Sequence, residues 1–171
     1  MKLQKICFII ILAVTSVFTV KAQDAAANKA LNNVLASYFV LKNDLAADNS
    51  AAAKTHAAEL AGVVKAVATE KLNAEQQTVW KLNAPKFQLA SIKLNEAKDI
   101  DAQREYFAVL SKTLADAAKA LKINTSPIYV QYCPMKKVSW LSDAAAIKNP
   151  FYGKQMLTCG QVTETLAANQ D

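Results

Sequence analysis

From residue 23 to residue 123 the chain contains a single glycine, Gly62, and a single proline, Pro85. These two residue types are the usual punctuation of helices and turns. A stretch of this length that nearly lacks both, and is rich in alanine, is constrained to long helices with few breaks.

The apolar spacing divides that stretch into four. The first segment, about residues 25–46, puts Leu31, Val34, Leu35, Tyr38, Leu41 and Leu45 on one face at three- and four-residue steps. Asp48-Asn49-Ser50 ends it and supplies an N-cap for a second helix over about 50–71, striped by Ala53, Ala57, Leu60, Val64 and Val67. Asn73 with Gln76 forms a capping box for a third. That segment carries Val79, Trp80 and Leu82, meets Pro85, which should kink or divide it, and continues through Phe87, Leu89, Ile92 and Leu94. Asp99 or Asp101 opens a fourth, lined by Phe107, Leu110, Leu114, Ala117 and Leu121 and stopped by Asn124, Ser126 and Pro127. Four amphipathic segments with short polar turns predict a mainly all-α fold, an antiparallel four-helix up-down bundle.

Ahead of the helices lies a different composition. Lys2 and Lys5 precede an almost unbroken apolar run from Cys7 to Val20, and Val20-Lys21-Ala22 offers small or modest side chains for cleavage before Gln23. This is the three-part pattern of a secretory signal peptide over residues 1–22. Cys7 lies inside the apolar run, which argues against lipidation there. A single domain over residues 23–171, periplasmic or secreted, is the expectation. Removing Lys2, Lys5 and Lys21 lowers the formal net charge from +6 to +3. So small an excess gives no reason to expect nucleic acid as a partner, and no second run approaches membrane-spanning length, so no membrane insertion is expected after cleavage.

Residues 128–171 break from the helical composition and read as an irregular segment packed on the bundle. Ile128-Tyr129-Val130-Gln131-Tyr132 suggests a short extended stretch, residues 142–147 a helical turn, and residues 161–168 a short final helix. Asn149-Pro150 and Gly153 read as turn chemistry. Trp140, Phe151 and Tyr152 read as packing anchors, and Arg104-Glu105 as an ion-paired fixture under the tail. The tail also holds both cysteines that survive cleavage, in two half-sites: Cys133-x-Met135 and Met156-x-x-Cys159. Thiolate with thioether favours soft ions such as copper(I) or silver(I) over zinc, which would recruit more cysteine or histidine. A disulfide is the competing reading. It would close the loop 133–159 and contribute roughly 3–4 kcal/mol in the chain-entropy picture, leaving the methionines as gap-fillers. His56 is the sole histidine. It reads as an ordinary packed or surface side chain, and joins the ligand set only where the fold brings its turn beside Cys133.

The strings Tyr132-Cys133-Pro134-Met135, Ser139-Trp140-Leu141-Ser142, Ile147-Lys148-Asn149-Pro150-Phe151-Tyr152-Gly153 and Met156-Leu157-Thr158-Cys159-Gly160 resemble the bacterial "domain of unknown function 3347" family, as does Gln103-Arg104-Glu105-Tyr106-Phe107 with Leu110-Ser111. The resemblance implies an exported protein that stands alone or is joined to periplasmic adaptor subunits of heavy-metal efflux pumps. It also implies Cys133, Met135, Met156 and Cys159 as the positions for copper(I)-type ligation. Many members carry histidine after the Arg-Glu pair where this chain has Tyr106, so any ligand role of that histidine is missing here.

Nothing suggests an enzyme. One histidine and no Gly-x-Ser-x-Gly give little basis for a serine hydrolase, Cys133-Pro134-Met135 is not a Cys-x-x-Cys motif, and glycine is too scarce for phosphate-binding loops.

Overall fold

The computed structural model of the chain describes residues 26–122 and 124–169. The signal-peptide reading of residues 1–22 lies outside them. Four helices come first: α1 over residues 26–46, α2 over Ser50–Lys65, α3 over Ala74–Glu96 and α4 over Ile100–Leu121. A three-stranded antiparallel sheet follows, with β1 at Ile128–Cys133, β2 at Val138–Ser142 and β3 at Gln161–Leu166 in the order β2-β1-β3. Short 3-10 turns occupy Thr69–Lys71 and Gly153–Met156.

The helix starts follow from their caps. Asn49 accepts from the Ala52 amide at 3.1 Å, Asp99 from Ala102 at 2.9 Å, and Asn73 and Gln76 cap each other's backbone in a reciprocal box. Each satisfies amides that an open helix end would leave unpaired.

Two helix boundaries differ from expectation. α2 ends at Lys65, because Val67 and Leu72 both turn into the core. Five residues apart, they would diverge by about 140° on one continuous helix. Pro85 neither kinks α3 to an end nor divides it. The carbonyl deprived of a partner belongs to Lys81; Lys81 and Pro85 are both exposed, so water can serve it.

The core takes the whole α1 stripe, the alanines Ala53 and Ala57 that let α2 approach closely, Trp80, Phe87 and Leu94 of α3, and Phe107, Leu110 and Leu114 of α4. Leu82, Leu89 and Ile92 of α3 remain exposed instead. The same apolar cluster continues into Ile128, Val130, Cys133, Trp140 and Leu141 of the sheet and Phe151 of the loop beyond it. A ladder of rings crosses the boundary: Tyr38 stacks on Phe107 at 5.2 Å, Phe107 meets Phe151 at 5.6 Å, and Phe151 meets Trp140 edge-on at 5.9 Å.

The C-terminal region is therefore not irregular. Ser142 closes β2, residues 143–146 bend without forming a helical turn, and the expected final helix is the strand β3. Val162, Thr163 and Thr165 are β-branched and favour a pleated strand. β1 supplies the ladder that a solitary segment would lack, pairing Ile128 with Leu166 and Tyr132 with Gln161 around a bulge between Val130 and Gln131. Among the described residues no helix is long and apolar enough to cross a membrane.

Candidate functional site

Cys133 is the last residue of β1 and is fully buried. Its carbonyl accepts the Lys137 amide at 2.8 Å, closing the hairpin through Pro134-Met135-Lys136-Lys137. Cys159 stands two residues before β3 and is half-buried. Because Tyr132 is registered against Gln161, the antiparallel ladder carries the chain past Gly160 and brings Cys159 up to the end of β1. The two side chains stand there as neighbouring free thiols. Loss of solvent, then the neighbouring Cys133, pushes the Cys159 thiol above its ordinary value.

The loop bearing Cys159 is fixed from three sides. Asn149, fully buried, donates from Nδ2 to the Cys159 carbonyl at 2.7 Å and accepts the Phe151 amide at Oδ1 at 2.8 Å. Its own amide donates to the Leu157 carbonyl at 2.7 Å. Gly160, at φ 149°, leaves room that a side chain would take: an added Cβ would stand 3.0 Å from Trp140 Cη2 and from the Tyr132 carbonyl oxygen.

The third tie reaches the helices. Arg104 of α4, buried, donates from Nε to the Pro150 carbonyl at 2.8 Å and from Nη2 to the Leu45 carbonyl at 3.1 Å and Asp48 Oδ1 at 2.6 Å. Asp48 Oδ2 accepts the Lys154 amide at 2.9 Å. Glu105 receives Lys136 of the β1–β2 turn at 3.5 Å. Arg104 is thus an ion-paired fixture beneath the tail, whereas Glu105 stays at the surface.

The remaining candidate ligands are placed unequally. Met156 lies one turn ahead of Cys159, and its carbonyl accepts the Cys159 amide at 3.0 Å. Met135 sits in the hairpin turn, 63% exposed. His56 is held elsewhere, with Nδ1 2.5 Å from Asp44 Oδ2 of α1. Among the described residues no group of three or more histidine, cysteine or carboxylate side chains is arranged to hold a metal ion. The fold thus brings two thiols together, with Met156 three residues from one of them along the chain.

Sequence reasoning missed two residues. In the sequence Asp48 reads only as part of a helix stop. Lys42, 2% exposed, reaches Ser142 Oγ at 3.2 Å and Asp143 Oδ1 at 3.1 Å, tying α1 to the end of β2. Its signal was available: Lys42 follows Tyr38 by four residues and precedes Leu45 by three, on the edge of the apolar stripe.

A family model described as "Protein of unknown function (DUF3347)" matches residues 34–126, more than half of the chain. The match takes in most of the helical part and the Arg104 motif. It stops short of β1, so both cysteines lie beyond it. No curated protein and no solved structure matches the chain.

Proposed function

The chain belongs to the DUF3347 family of proteins of unknown function, and on that footing we propose that it is an exported binder of a soft metal ion of the copper(I) or silver(I) type. It would act outside the cytoplasm as a chaperone or accessory to heavy-metal efflux, handing its ion to a periplasmic adaptor or another efflux-system protein. The observation that carries this reading is the meeting of Cys133 and Cys159 at the β1–β3 junction, two thiols side by side with one of them reachable from solvent.

In this reading the ion is cargo, held between the two thiolates. Buried Cys133 is the fixed donor, and half-buried Cys159 the donor through which the ion enters and leaves. Met156 tunes exchange as a neutral third donor. Met135, in solvent, serves capture more than retention, and His56, engaged by Asp44, takes no part. Both thiols must lose their protons on binding, so uptake strengthens as pH rises. We also take the helices as an antiparallel up-down bundle, a reading supported by their short connections and shared core.

The test is competition of the reduced protein against a chromogenic copper(I) chelator without oxygen. Cys133→Ser and Cys159→Ser should each weaken binding by at least about tenfold, and Met156→Leu by less. Affinity unchanged in both serine variants would overturn the site.

A second reading has its own support. Leu82, Leu89 and Ile92 of α3 and Val109 of α4 are exposed, as expected of a non-catalytic interaction module whose tail is held by a Cys133–Cys159 disulfide. A disulfide that persists under mild reduction, with no copper(I) or silver(I) taken up afterwards, would favour it.

A further inference from the structure

We propose that Cys133 and Cys159 form an exchangeable dithiol, in which Cys159 is the entry thiol and Cys133 the resolving thiol, acting on the disulfide bond of another molecule. The basis is the asymmetry of two thiols that the β1–β3 register makes neighbours. Cys133 is 0% exposed, at the end of the central strand and within the apolar cluster. Cys159 is half-buried, on the loop that Asn149 holds in place. An external disulfide can reach only the second.

The exchange balances. The Cys159 thiolate attacks one sulfur of R–S–S–R, the R-side S–S bond breaks, and RS⁻ leaves, giving a mixed disulfide on Cys159. Cys133, its proton released to solvent, then attacks Cys159 Sγ and expels the second RS⁻. The pair has lost two electrons and two protons, and R–S–S–R has become two RSH. The reverse sequence reduces the pair. The second step is intramolecular between neighbouring residues, so the mixed disulfide is short-lived in the intact protein.

This inference does not rest on metal binding; oxidation would only remove the dithiolate on which that reading depends. The experiment uses full-length protein carrying Cys7→Ser, reduced, freed of metal with a chelator and mixed with glutathione disulfide. Samples are quenched in acid, alkylated and weighed by mass spectrometry. The intact pair should lose two hydrogen atoms and retain no glutathione. Cys133→Ser should retain one glutathione on Cys159, whereas Cys159→Ser should react at least about tenfold more slowly, because Cys133 is shielded. Glutathione captured by Cys159→Ser as fast as by Cys133→Ser would overturn the assignment, as would an intact pair that stays reduced in excess glutathione disulfide. Substitution of buried Cys133 can unfold the chain, so the unsubstituted pair is also read directly. Limiting iodoacetamide followed by peptide mapping should place the first alkyl group on Cys159. First alkylation at Cys133 would contradict the order.

Discussion

Arg104 Nη2 lies 2.6 Å from Asp48 Oδ1, and the pair spans the seam between the helices and the cysteine-bearing loop. Arg104 is buried, while Asp48 is partly open to solvent. The same carboxylate also accepts the Lys154 amide, and the same guanidinium donates to the Pro150 and Leu45 carbonyls. One ion pair therefore joins the α1–α2 turn, α4 and the loop leading to Cys159.

Arg104→Met should cost about 3 kcal/mol, since it strands two buried carbonyls along with the carboxylate. At this chain length that is a fall of roughly 6–12 °C in Tm. The Lys154 amide, and after it the Arg104 guanidinium, hold the Asp48 carboxyl below its ordinary value of 3.8. Its contribution is therefore complete above that value and fades as pH falls through the lower folded one. Asp48→Asn should flatten this part of the acid limb. Thermal unfolding between pH 2 and pH 6 checks both variants.

Gly153 is the other half of that seam. Its φ is 57°, and an added Cβ would stand 1.8 Å from Asp48 Oδ1 and 2.6 Å from Arg104 Nη2. Gly153→Ala carries the left-handed penalty of about 1–2 kcal/mol and also forces the ion pair apart. Its loss in chemical denaturation should therefore exceed that penalty. In a double-mutant cycle the loss should shrink when Arg104 is already methionine.

Two buried groups act in opposite directions at alkaline pH. Burial holds Lys42 below its ordinary value of 10.5, against the pull of Asp143, so the folded state binds fewer protons there and stability rises as pH climbs toward 10.5. Burial pushes the Tyr38 phenol well above its ordinary value of 10.0, outweighing its bonds to Ser111 and Leu141. Its contribution is present below pH 10 and lost above it. Lys42→Met should be neutral or stabilising by about 1 kcal/mol near neutrality, because Asp143 is left solvated. Tyr38→Phe should cost about 1–3 kcal/mol and make the limb above pH 10 shallower. Stability curves from pH 7 to pH 11.5 separate the two.

How far these relationships could be read in advance depended on their range. Caps and stripes are local, so Asn49, Asn73 and Asp99, and the α1 face from Leu31 to Leu45, were legible from spacing alone. The end of α2 was not, because Val67 and Leu72 answer to the core more than to their neighbours. α3 carries more apolar residues than its packing face can bury, which is why Leu82 and Leu89 misled. β3 reads as a helix in the sequence because its residues are mostly polar and, in the fold, mostly exposed, and its β-branched residues need the ladder of β1, some thirty residues earlier, to form a strand. The half-sites of the tail were visible as composition. The contact of Cys133 with Cys159 depends on the β1–β3 register, which no local pattern encodes. Asp48 and Lys42 owe their roles to partners about a hundred positions away in Lys154 and Asp143.

The central proposal turns on whether the two thiols take up a soft ion together. Reduced protein carrying Cys7→Ser should be titrated with silver(I) or copper(I) without oxygen, following the thiolate-to-metal absorption in the ultraviolet. The expected result is a sharp end point at one ion per chain, lost when either Cys133 or Cys159 is serine. No uptake by the reduced pair, or an end point unmoved by both substitutions, would contradict it.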